Sequence, residues 1–235
     1  MVLSVNERKI SGMSSEPKPY TLLSHLPLFQ GMSLSELDEV VSKVRFDFSK
    51  IKAGDDIVSD GQRVDKLLFI IKGNVAVSTV SDDRGYKFFE YLQVPCVLQP
   101  ERLFGLTQRY SRSFRAEEEC HVMAIDKADV MSLTSASEIF RLNVMNILCT
   151  MVQRSQRYPW HNKPADIRRK IFSFIENRCL RPAGKKILYI GMVRLAKEIG
   201  ESRQNVSDEL NAMHECGMII LQRGIITVPA LEKLL

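Results

Sequence analysis

A chain of 235 residues accommodates one large or two small domains, and 45% hydrophobic content lets each bury its own core, which excludes wholesale disorder. The net charge of +5 is unevenly spread: residues 161–235 hold 13 Lys and Arg against 8 Asp and Glu, and the remainder is neutral. A local positive excess attracts polyanions, although it also fits a solvated basic surface.

Residues 1–20 are rich in Ser, Lys, Glu and Pro, show no firm period and are expected to be loosely ordered. They lack the basic-then-apolar pattern of a secretion signal. The five cysteines, at 96, 120, 149, 179 and 216, are odd in number and share no CxxC spacing. That usage points to reduced thiols and a cytoplasmic protein. Leu26–Val44 reads as a short helical region, with Ser33 and Ser35 as candidate caps ahead of Leu37, Val40, Val41 and Val44.

From Phe46 to Ile125 the pattern changes to short β segments. Ile57–Val58, Lys66–Ile71, Asn74–Val80, Lys87–Leu92, Val97–Leu98 and His121–Ile125 read as strands, broken at Gly54, Gly61, Gly73, Asp82–Gly85 and Pro95. Many short strands at such spacing predict a sandwich or jelly-roll-like barrel.

A long helical pattern follows from about Ser135 to Tyr158, stopped by Pro159. Phe140, Val144, Ile147 and Met151 recur at alternating steps of four and three, the spacing of a coiled-coil seam. Met145, Leu148 and Val152 form a second apolar stripe beside it. One stripe would cover the β domain while the other meets a partner helix; an ordinary buried helix fits the pattern too. The longest strongly apolar run, Val144–Val152, falls far short of the roughly 20 residues that span a bilayer. Lys163-Pro164-Ala165 reads as a hinge, and helical periodicity resumes over Ile167–Cys179.

The sharpest local signal is Met192–Val228. Met192, Leu195, Ala196 and Ile199 mark one face of a short helix that Gly200 ends. Ser202 is placed to cap a second helix by accepting an N–H from near Asn205. Val206, Leu210 and Met213 lie on its buried face, and Gln204, Asp208, Asn211 and Glu215 lie opposite, with Arg203 at the flank. Two β-type runs, Met218–Leu221 and Ile225–Val228, are joined by Gln222-Arg223-Gly224, which reads as a three-residue hairpin loop. Helix, tight turn, helix and hairpin make a winged helix-turn-helix, whose second helix enters the major groove of DNA. Arg203 suits guanine; Gln204, Asn205 and Asn211 suit adenine. Ser202, Ser207 and the helix N-terminal amides suit phosphate, as does Arg223 on the wing. Asp208 repels phosphate, so it must accept from a cytosine amine or orient a neighbour such as Arg203.

From about Leu26 onward the chain resembles the Crp/Fnr superfamily of bacterial transcription regulators. Three blocks carry the resemblance: Leu26-Pro27-Leu28-Phe29 with Met32–Leu37; Ile51–Asp55, Asp60-Gly61 and Leu68–Val77; and Leu195-Ala196 followed by Gly200–Ser207. The resemblance implies an α+β protein. Its parts would be an N-terminal segment (1–20), a double-stranded β-helix or jelly-roll-like β-roll for an effector (21–134), a dimerisation helix (135–160) and a winged helix-turn-helix (161–235). It also implies a homodimer on two-fold-related double-stranded DNA, RNA polymerase as a partner, and a roll whose occupancy reorients the DNA-binding units. The candidate effector pocket is Leu103, Phe104, Gly105, Arg109, Tyr110, Ser111 and Arg112. Members that bind cyclic AMP carry an Arg-Ser pair there; Ser111 matches, but Tyr110 stands at the arginine position, with Arg109 or Arg112 as substitutes. A cyclic nucleotide is therefore disfavoured, since a phosphate needs a cation or several N–H donors, and the effector stays unknown. No cysteine precedes Cys96, so no iron–sulfur cluster is expected. Buried, inert thiols are favoured over oxidant sensing at Cys96, Cys120 and Cys149. His25, His121, His161 and His214 show no metal-ligand spacing. No nucleophile–base constellation or phosphate loop suggests an enzyme, and no membrane role is expected. The alternative function is a ligand-binding signalling module that acts through protein contacts.

Overall fold

The computed structural model describes residues 19–157 and 164–234. The expected loose ordering of residues 1–18, the stop at Pro159 and the Lys163 end of the hinge lie outside these residues. Helices α1 (Pro19–Ser24) and α2 (Leu34–Lys43) open the described chain. Ser33 caps α2 through a capping box: its Oγ accepts the Glu36 N–H at 3.3 Å, and the Glu36 carboxylate accepts the Ser33 N–H at 2.7 Å. Ser35, the other candidate, falls inside the helix.

Eight strands follow: β1 (Phe46–Ile51), β2 (Asp56–Val58), β3 (Lys66–Lys72), β4 (Val75–Val80), β5 (Tyr86–Tyr91), β6 (Cys96–Leu98), β7 (Ser113–Ala116) and β8 (Cys120–Asp126). The segments expected as strands all form, and β1 and β7 join them. One sheet has the order β1-β8-β3-β6; β5, β4, β7 and β2 lie in a second. Their inward residues make a single core with Phe69, Val75, Val77, Phe114 and Met123 fully or nearly fully buried. Phe29 enters it from the α1–α2 connection, tilted against Phe69 at 5.9 Å and Phe140 at 5.2 Å. The β3–β4 turn requires Gly73, at φ +114°, because a Cβ there would lie 2.6 Å from the Cys120 Sγ and 2.9 Å from its Cα.

Helices α3 (Lys127–Ala136) and α4 (Glu138–Arg157) come next. The long helix starts at Glu138 rather than 135 because Ser137 is extended and its hydroxyl accepts the Phe140 N–H at 3.2 Å. The expected partner-facing stripe needs correction at its start. Phe140 is 0% exposed inside its own roll core, so it has no surface left for a second chain, and Val144 and Ile147 pack partly buried against that core. Met151 is half-buried.

The C-terminal part contains α5 (Ile167–Glu176), β9 (Lys186–Ile190), α6 (Met192–Ile199), α7 (Arg203–Glu215), β10 (Ile220–Gln222) and β11 (Ile225–Val228). A second core gathers Phe172, Leu188, Leu195, Val206, Leu210 and Ile226. Strand β9 was not expected. It pairs with β11 on one edge and with β5 of the roll on the other, so one sheet runs β10-β11-β9-β5-β4-β7-β2 through both parts of the molecule.

Candidate nucleic-acid interface and effector roll

Gly200 ends α6 at φ +71°, a left-handed conformation that glycine adopts without a Cβ penalty, and its N–H donates to the Ala196 carbonyl. Two residues later Ser202 is extended, and its Oγ accepts the Asn205 N–H at 3.1 Å. These two caps set the tight turn between the helices. On α7, Val206, Leu210 and Met213 are each 0% exposed, which turns the opposite face outward. Arg203, Gln204, Asn205, Asp208 and Asn211 are exposed on it, Ser202 stands exposed at its start, and Ser207 is half-buried.

Charge on this face is managed from two sides. Gln204 Nε2 donates to Asp208 Oδ1 at 2.8 Å, so the orienting partner of Asp208 is Gln204 rather than Arg203. From α5, Arg168 pairs with Glu209 at 2.6 Å and Lys170 with Glu201, whose carboxyl that lysine holds below its usual range. Two acidic groups beside the ridge are thereby neutralised, which leaves Arg203 to dominate the exposed N-terminal end. The hairpin differs by one residue from expectation: Gln222 pairs with Ile225, so the loop is Arg223-Gly224, with Gly224 at φ +74° and Arg223 exposed at the tip.

The candidate effector residues do not gather as one lining. Leu103 and Tyr110 are core residues, 2% and 3% exposed; Tyr110 packs edge-on to Phe114, and burial pushes its hydroxyl up to about 12. Phe104 lies at the surface beneath Lys127 Nζ, and Gly105 follows it at φ +87°. Neither candidate substitute for the missing arginine is free: Arg109 Nη1 donates to the Gly61 carbonyl at 2.8 Å, and Arg112 Nη1 to Glu90 at 3.3 Å. Ser111 is occupied by Gln99, which sequence reasoning missed. The Gln99 Oε1 accepts the Ser111 N–H at 3.0 Å, and its Nε2 donates to Ser111 Oγ at 2.7 Å and Glu101 Oε1 at 3.2 Å. Gln99 is 7% exposed and left-handed at φ +36°, a conformation that a non-glycine residue holds only when its surroundings enforce it. A lone glutamine before Pro100 carries no sequence signal for this role.

Burial pushes the Cys96 thiol up to about 12 and the Cys179 thiol up to about 11, and it also raises Cys120; thiols held protonated react slowly. Cys149 and Cys216 are exposed. Among the described residues, no group of His, Cys, Asp or Glu is arranged to hold a metal, and no helix is long and apolar enough to cross a membrane.

Residues 48–137 match the cyclic nucleotide-binding domain. The fold is similar to that of a putative Crp/Fnr-family transcriptional regulator from Eubacterium rectale, at 16% identity and a TM-score of 0.50 over 90% of this chain and 97% of that one. The Thermus thermophilus catabolite activator protein aligns over 88% of this chain and 96% of its own, at 20% identity and a TM-score of 0.48. The c-di-GMP-responsive regulator CLP of Xanthomonas campestris covers 78% of this chain and 94% of its own, at 14% identity and a TM-score of 0.44. No curated protein sequence matches the chain.

Proposed function

We propose that this chain, with a cyclic nucleotide-binding domain and structural neighbours among the Crp/Fnr regulators, is a homodimeric, sequence-specific, DNA-binding transcription regulator whose last third is a winged helix-turn-helix. The observation that carries the reading is α7: a capped helix with its apolar side buried and Arg203, Gln204, Asp208 and Asn211 exposed along the other. Arg203 and Gln204 lie in its first turn, where a recognition helix meets base edges. Ser202, Ser207 and Arg223 surround them with donors for phosphate, and Asn205 and Asn211 suit adenine.

The dimer would form along the outer face of α4. Phe140, Val144 and Ile147 are engaged by the roll, while Leu142, Met145 and Val152 are 46%, 50% and 50% exposed at spacings that suit helix pairing. RNA polymerase is the partner such a regulator serves. The roll takes an unknown effector, and a cyclic nucleotide is disfavoured because Arg109 and Arg112 are both engaged elsewhere.

Footprinting on genomic fragments tests the reading. Paired protected half-sites about 10 bp apart are expected, with affinity that falls steeply as salt rises. Salt-insensitive behaviour with no protected sequence would favour a signalling module that works through protein contacts.

A further inference from the structure

Resting on the reading of α7 as the DNA-contacting helix, we infer that Glu90 is a positioning residue that fixes the orientation of α7 relative to the roll. Strand β5 belongs to the roll by sequence, yet it is shared. Its residues pair with β9 from Tyr86↔Ile190 to Glu90↔Lys186, and Phe88, 2% exposed, packs in the C-terminal core. Strand β9 runs through Gly191 directly into α6, which packs on α7. The register of β5 against β9 therefore sets where α7 stands.

The buried face of this ladder resists a one-residue slip, which would turn Phe88 and Leu188 outward, but a slip of two residues restores the side-chain faces. The end of this ladder carries a contact that cannot slip. Glu90 and Lys186 are each 2% exposed and meet at 2.9 Å. The Glu90 carboxylate also accepts Arg112 Nη1 at 3.3 Å and the Leu180 N–H at 2.8 and 3.0 Å. The donors come from β9, from the residue before β7 and from the connection between α5 and β9. Any other register would strand a buried carboxylate and a buried ammonium without partners, which is strongly destabilising. The contacts nearer the hairpin tip, Asp83 with Arg194 and Tyr86 with Arg178, join more exposed groups and discriminate less.

Arg112 also ties this contact to the roll. It follows Ser111, which the Gln99 carboxamide holds through two hydrogen bonds. A contiguous polar chain thus runs Gln99, Ser111, Arg112, Glu90, Lys186, from the roll into the C-terminal part.

The test uses the full chain with Cys149→Ser and Cys216→Ser, carrying spin labels at Ser49→Cys and Glu215→Cys and diluted with unlabelled protein. The parent should give one narrow distance distribution. The apolar pair Glu90→Leu/Lys186→Met, which removes both buried charges together, should keep the roll folded but broaden the distribution. Arg112→Gln, which keeps the Glu90–Lys186 pair, should broaden it less. Unchanged narrow distributions in both variants overturn the inference. On DNA, the unlabelled chain with its natural Glu215 should bind one half-site spacing at least tenfold better than a spacing 2 bp longer, and the same chain with the apolar pair should lose most of that preference. Broadening without any change in spacing preference would reduce Glu90 to a stabilising contact and would also overturn it. If the unlabelled chain retains no DNA, the reading of α7 fails, while the distance distributions of the labelled chain still decide whether Glu90 fixes the orientation.

Discussion

Helices α4 and α7 both carry apolar residues at steps of three and four, but they meet the rest of the molecule differently. Helix α7 has one apolar stripe, and Val206, Leu210 and Met213 disappear completely into the C-terminal core. Helix α4 has two, and the roll takes one of them: Phe140, Val144 and Ile147 face the core while Met145 and Val152 stay half in water. A single stripe names its own buried side. With two stripes, the neighbouring surface chooses, and here Phe29 and Phe69 present the aromatic cluster that Phe140 completes.

Substitutions on the two helices should separate these roles. The largest effect is expected for Phe140→Ala, which empties a filled aromatic site and should cost about 3–5 kcal/mol in urea unfolding of the roll; a loss below about 1 kcal/mol would return Phe140 to the surface. Arg203→Ala on α7 should leave unfolding unchanged while weakening specific DNA binding by about 1–3 kcal/mol, read by anisotropy at fixed salt. Ser202→Ala removes the N-cap and should lower stability by about 1 kcal/mol, and Ser202→Asp should recover most of it. Met145→Lys on the outer stripe of α4 should shift unfolding by no more than about 0.5 kcal/mol yet reduce self-association in sedimentation; an unaltered dimer would move the seam elsewhere.

The smallest effect concerns acid. The Gly85 N–H, then the Ser81 hydroxyl, then Arg194 hold the Asp83 carboxyl down at about 2, against an ordinary 3.8. A depressed folded value stabilises above the unfolded value and is lost as pH falls through the folded one. The attachment of the β4–β5 hairpin to α6 should therefore be complete above pH 4 and weaken between about 4 and 2, with Asp83→Asn flattening that dependence. Hydrogen exchange at the hairpin amides measures it.

Much of this could be read along the chain because it depends on near neighbours. Gly200 at a helix end, Ser202 three residues before the amide it accepts, and period-two runs between turn residues each act within a few positions, and the structure places caps and strands there. The candidate ridge of α7 was legible for the same reason. The chain's basic excess after residue 160 pointed to the same region.

What only the tertiary structure decided depends on partners far apart in sequence. Strand β9 is short and begins with a lysine, which reads as polar until Glu90, 96 residues earlier, is brought beside Lys186. Gln99 looks like a loop residue until Ser111 folds against its carboxamide. Arg112 looks free to meet a ligand until Glu90 claims it. Residue type and spacing determine which groups can pair and which face of a single-striped helix is buried. Which buried charge meets which, and which of two stripes turns inward, is decided when distant strands close one core, because desolvation makes an unpaired partner too costly to leave.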